Sequence, residues 1–266
     1  MIDGATILGL LAVGFLGGLL GGLLGVGGSV LFIPVLTVFL EQDYHTAQAA
    51  ALVVNVCVGF AAAQSHIRSG LVSWRLQGIL IPCAIVASVV GVCVSNQFAG
   101  AYEVYLRRIF GVTLVYVILA NLYRMLRRQW PLVRRLWKAR KRRRGPFAIG
   151  AVGGLMGFMA GLLGIGGGVV AVPGQQILLG MRLRTAVANS SVAIVFACVL
   201  AAAVKHSTLP QGVDPVRPWV YVGLLAPTAV IGAPLGALLT HRLPREWVRL
   251  VFMAFLAWAS VRMLTS

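Results

Sequence analysis

The chain has 266 residues, of which 59% are apolar and only 11% charged. That is less than half the charged fraction of a soluble domain, so a water-exposed globule is excluded: it could not cover its own surface. A net charge of +17 would suit a nucleic-acid binder, but nearly half of the basic residues fall in one stretch between apolar segments, which points to lipid and topology instead.

Apolar segments run at 5–40, 46–65, 76–96 and 104–123, then at 146–180, 185–204, 219–240 and 247–264. Spans of about 20 residues suffice to cross a hydrocarbon core, so the expected class is an all-α integral membrane protein with about 8–10 helical segments. The start, "MIDGATILGLL", has no Lys or Arg ahead of its apolar run and reads as mature sequence rather than a cleaved signal peptide.

The first segment holds "GLLGVGGSVLFIP" at 22–34. Glycines spaced along a helix, such as Gly14, Gly18, Gly21 and Gly25, read as close-packing positions. The run Gly25-Val26-Gly27-Gly28-Ser29 is different, because contiguous glycines unwind a helix at a cost of about 1 kcal/mol each and free backbone N–H and C=O groups. In a bilayer such groups must face protein, water or ligand.

The second segment carries Asn55 and Gln64 and ends at His66. After the fourth comes "RMLRRQWPLVRRLWKARKRRRG" at 124–145, strongly basic and without an acid. The positive-inside rule makes this linker cytoplasmic. Its Trp and Leu residues suit an interfacial helix on anionic lipid, and a solvated basic loop that only fixes topology is the plainer alternative.

The fifth segment repeats the first motif as "GLLGIGGGVVAVP" at 161–173, identical at eight of thirteen positions and offset by 139. At the same offset "HTAQAAAL" (45–52) meets "RTAVANSS" (184–191), and with six inserted residues Trp74, Gly78, Pro82 and Gly91 fall on Trp219, Gly223, Pro227 and Gly236. The chain therefore reads as a duplication: a first transmembrane repeat at 1–123, the linker at 124–145 and a second repeat at 146–266. Segment 146–180, at roughly 50 Å of helix, is too long for one crossing. Each glycine run then bends a hairpin or re-entrant segment followed by three crossings, and the halves are inverted, with the N-terminus outside.

Broken helices at matching positions of inverted halves point to a transport site, their half-helix N-termini offering N–H groups and positive dipole ends to an anion. The expected substrate-binding residues are Gly27, Gly28 and Ser29 with Gly166, Gly167 and Gly168, joined by Asn189 and Ser190 and then by Asn55 and Gln64; a purely architectural hinge is the competing reading. Asn189 and Ser190 are favoured over Asn55 because they lie where the second hairpin should return. His66 and Lys205 align across the repeat, either as snorkelling residues or as cations drawing anions to the two mouths of a pathway.

The paired "GVGGSVLFIP" and "GIGGGVVAVP", each followed by a T-A-x-A stretch, with a basic linker between similar halves, resemble the sulfite exporter TauE/SafE family of membrane permeases. The resemblance implies a plasma-membrane transporter of small sulfur oxyanions such as sulfite or organosulfonates. No cofactor and no metal are expected, since no second His stands at ligand spacing. The four cysteines form no C-x-x-C pair, and no Ser/His/Asp set suggests hydrolysis, so the chain is not expected to be an enzyme. All six acids lie at segment ends or in loops, leaving no mid-membrane carboxylate as a proton relay. Export fits better than proton-driven import, because expelling a monovalent anion gains about 2.3 kcal/mol per 100 mV. Expected partners are the anion, the bilayer, anionic lipid at the linker and a second copy in a homodimer, with no nucleic acid. The alternative function is a non-transporting membrane scaffold acting through the linker.

Overall fold

The computed structural model describes residues 3–25, 27–129, 145–239 and 245–265. The centre of the basic linker, and with it the expected interfacial helix, lies outside the described residues. In chain order come α1 (Gly4–Leu24), α2 (Ser29–Pro34, continued by a wider turn over Val35–Phe39), α3 (Tyr44–Arg68), α4 (Trp74–Gln97) and α5 (Glu103–Gln129). After the linker follow α6 (Pro146–Leu163), α7 (Gly168–Ile177), α8 (Leu183–Ser207), α9 (Arg217–Leu239) and α10 (Arg245–Thr265). The class is all-α, and six of the described helices are long and apolar enough to cross a membrane. The chain is a multi-pass membrane protein.

Both glycine runs interrupt helices, and both do so by the same device. Helix α1 stops at Gly25, whose φ of 64° is left-handed and whose N–H bonds back to the Gly21 carbonyl at 2.9 Å. Helix α6 stops at Gly164, φ 75°, whose N–H bonds to the Ala160 carbonyl at 2.8 Å. A left-handed residue closes a helix at least cost when it has no side chain. In each half a short helix then returns: Gly28 lies beside the Gly17 carbonyl, and Gly167 beside Met156. Neither proline stops its returning helix. Pro34 leads into the wide turn and α7 runs on through Pro173, a proline's missing N–H being tolerable where a ladder bond is already loosened.

Helices α3 and α8 form the centre, with 72% and 67% of their apolar windows buried, against 39% for α1 and 33% for α4 and α9. The outer helices are exchanged between the halves: α1 packs along α9, and α6 along α4. The approach is close because glycine meets backbone. A methyl on Gly18 would strike the carbonyl of Ala229, and one on Gly157 would strike that of Ala84. These pairs stand at the offsets of 139 and 145 by which the sequence repeats. Apolar side chains such as Leu16, Val112, Leu119 and Ile231 cover the outside, as a lipid-facing surface requires.

Candidate functional site

The two helix breaks meet at Asn55 of α3. Its Oδ1 accepts the backbone N–H of Gly28 at 3.0 Å and of Ser29 at 3.3 Å, and its Nδ2 donates to Ser29 Oγ at 2.9 Å and to the Gly164 carbonyl at 3.1 Å. One wholly buried carboxamide thus ties the start of α2 to the end of α6. A β-carbon on Gly27 would lie 2.9 Å from its Oδ1, and one on Gly166 would lie 3.0 Å from its Nδ2, so both glycines leave room for it.

The second break is not treated in the same way. Gly28 and Ser29 correspond to Gly167 and Gly168, and Asn55 corresponds to Ile194. Isoleucine accepts no hydrogen bond. Among the described residues nothing accepts the N–H groups of Gly167 or Gly168, although both are buried, whereas their counterparts are satisfied by Asn55. Buried backbone donors are almost always paired, so this opening of α7 stands apart from its counterpart in the first half. A side chain on Gly167 has no room in any case, because it would strike the Met156 carbonyl of α6.

Asn189 and Ser190, favoured from the sequence, are engaged in holding helices. Ser190 Oγ donates to the Gly25 carbonyl at 2.9 Å, which satisfies the end of α1 much as Asn55 satisfies the end of α6. Asn189 Oδ1 accepts the Ser73 N–H at 2.8 Å where α4 begins, and its carbonyl accepts from Gln77 Nε2 at 2.8 Å. Below Asn189 opens a cleft of about 780 Å³ between α4, α6 and the α7–α8 turn, lined by Ser73, Arg75, Met181, Arg182 and Thr185 over an apolar wall that includes Leu76 and Ile149. Arg75 and Arg182 form no ion pair among the described residues.

Gln64 is exposed on the lipid-facing side of α3 and is not brought to the breaks. Lys205 and His66 do not stand open at mouths either: both are buried, at 0% and 1% exposure. Lys205 Nζ donates to Asn96 Oδ1 at 2.6 Å and lies 2.7 Å from His45 Nδ1, at the far end of the bundle from the cleft.

Sequence reasoning passed over Gln48 and Tyr44. Gln48 Nε2 donates to the carbonyls of Gly161 and Leu162 at 2.7 and 3.0 Å, and Tyr44 Oη to that of Leu163 at 2.9 Å, so α3 satisfies the last carbonyls of α6. The available signal was a glutamine amid alanines in a buried span, expensive unless paired.

Both breaks lie within the stretch that matches a profile of the sulfite exporter TauE/SafE family, which runs from residue 10 to 263 of the chain. The chain belongs to that family. Among relatives of the TauE/SafE chain, a probable membrane transporter protein of Haemophilus influenzae is 25% identical over 95% of this chain and 96% of its own. The probable membrane transporter protein MamO of Magnetospirillum gryphiswaldense is 26% identical over 98% of this chain. The TauE/SafE chain spans only 45% of that relative's length, and the same share of its counterpart in Paramagnetospirillum magneticum, at 27% identity. No solved structure matches.

Proposed function

We propose that this TauE/SafE chain is a plasma-membrane permease for small oxyanions, sulfite or organosulfonates, which it moves outward. The observation that carries the reading is the contrast between the two breaks: Asn55 fills the N–H pair at Gly28 and Ser29, while the pair at Gly167 and Gly168 is left for an anion. An oxyanion there would accept two backbone N–H bonds and lie at the positive end of the ten-residue α7. Membership of a family named for sulfite export supports the substrate class.

In this reading the cleft with Arg75 and Arg182 is the cytoplasmic vestibule, on the side of the basic linker. Its cations gather anions, and Asn55, Gly27, Gly28 and Ser29 act as the fixed wall against which the second break binds. Asn189 and Ser190 position α4 and α1 around it. The chain is organised as two inverted repeats, 1–123 and 146–266, about the linker at 124–145, which lies against anionic lipid. No coupling ion is required, since the membrane potential itself drives a monovalent anion out.

The test is flux in reconstituted vesicles. Potential-driven efflux of sulfite or methanesulfonate is expected; impermeability to a broad anion panel would exclude transport and favour a scaffold.

A further inference from the structure

Lys205 is the most unusual charged residue in the fold. It is wholly buried near the C-terminal end of α8, yet no carboxylate pairs with it among the described residues. Of the acids at that end of the bundle, Glu103 is committed to the Tyr44 N–H at 2.7 Å and to Arg107 at 2.8 Å, and Glu41, Asp43 and Asp214 make no ion pair with Lys205 among the described residues. An unpaired ammonium is among the costliest groups to bury, so its solvation by the protein has to be specific.

The solvation is specific, and it is incomplete. Asn96 Oδ1 accepts one Nζ–H at 2.6 Å, and Asn96 is fixed by donating to Thr208 through Nδ2, at 2.9 Å to the carbonyl and 2.7 Å to Oγ1. His45 Nδ1 takes a second Nζ–H at 2.7 Å. The tautomer follows from the other ring nitrogen: Nε2 lies 3.0 Å from the Phe98 carbonyl, which can only accept, so Nε2 carries the proton and Nδ1 offers a lone pair. The third Nζ–H has no partner among the described residues, and neither has the buried hydroxyl of Thr46, next to His45. Both ligands of the ammonium are neutral. In its protonated form the cluster therefore carries a positive charge with one donor left over, inside an apolar bundle.

We propose that the Lys205–His45–Asn96 cluster is a second anion-binding site, at the end of the bundle opposite the cleft, which takes a small monovalent oxyanion on the Lys205 ammonium. The inference rests on the permease reading and deepens it: an anion leaving the second break finds here a buried cation held by neutral ligands on the exit side, and release follows when Asn96 and His45 take the ammonium back. A relay of this kind needs a site weak enough to be vacated, which a neutral amide and imidazole provide and a carboxylate would not.

The decisive variant is Asn96→Asp. It keeps an acceptor on Lys205 Nζ and replaces the neutral ligand with a permanent counter-ion, the new ion pair offsetting the loss of the two Nδ2 donations to Thr208, so a structural role of the cluster predicts normal flux at a near-unchanged unfolding temperature. The proposal instead predicts that sulfite and methanesulfonate efflux from vesicles falls at least tenfold while the unfolding temperature is kept, and that Lys205→Gln loses flux to a similar degree. Wild-type flux in Asn96→Asp overturns the site. Binding separates this failure from failure of the permease reading: sulfite should raise the unfolding temperature of the detergent-solubilised wild type, and should do so less in Asn96→Asp. If wild-type vesicles pass no anion, the permease reading falls, and an equal thermal shift in both proteins removes the site as well.

Discussion

Asn55 and Gly164 are 109 residues apart in the chain, yet the Asn55 amide donates to the Gly164 carbonyl at 3.1 Å. The end of α6 in the second half is thereby held by a side chain from the first, and the same side chain supplies the cap that α2 cannot build for itself. The break regions of both halves are coupled through this residue.

Asn55→Ala would strand the N–H groups of Gly28 and Ser29, Ser29 Oγ and the Gly164 carbonyl in a buried site. Leaving one such group unpaired costs about 1–3 kcal/mol. With partial relaxation, a total loss of about 3–5 kcal/mol is expected, read as a fall in unfolding temperature in detergent. A variant as stable as wild type would show that water replaces the carboxamide.

Ile194→Asn places at the second break the residue that caps the first. Ile194 holds the repeat position of Asn55 and its Cγ2 lies 3.5 Å from where a β-carbon on Gly166 would be, so the new carboxamide is expected to bond the N–H pair at Gly167 and Gly168 as Asn55 bonds that at Gly28 and Ser29. The protein should gain about 1 kcal/mol from the added hydrogen bonds and lose at least tenfold in anion flux. Retained flux would mean that the unpaired donors are not the substrate site.

Gly18→Ala and Gly157→Ala should each destabilise by about 1–3 kcal/mol, the usual cost of overpacking, because the methyl meets the backbone of the facing helix rather than a side chain that can turn away. Gly78→Ala is the control: nothing lies within 4 Å of its added carbon, and stability should hold or rise. Thermal unfolding of the three variants decides between helix contact and mere flexibility.

Sidedness follows from the hairpin geometry. In a cysteine-free background, Asp3→Cys and Asp214→Cys should react with an impermeant reagent from the outside, and Ser69→Cys and Arg182→Cys only from the cytoplasmic face. Labelling of positions 3 and 182 from one side would rule out the hairpin-plus-three arrangement.

Much was legible because bilayer physics leaves few choices: apolar length gave the spans, and contiguous glycines in a segment too long for one crossing gave the two breaks at Gly25 and Gly164. The partners of the polar residues were not legible. Asn189 and Ser190 were favoured because they lie where the second hairpin returns, and their hydrogen bonds go to Ser73 and Gly25, which sequence distance does not place beside them. Gln64 and Gln48 lie in the same span, yet Gln64 faces outward and Gln48 bonds to α6. Periodicity could not separate them in a helix that is apolar on nearly every side.

The sequence by itself determined a helical membrane protein with two matching glycine interruptions, because apolar runs of about 20 residues satisfy their own polar groups in lipid only as helices and glycine enters the left-handed turn with least strain. Only the tertiary structure decided which break is filled and which is open, since capping depends on a side chain from another helix arriving within 3 Å. Asn55 arrives at Gly28, and at Gly167 the matching residue is an isoleucine that has no acceptor to offer.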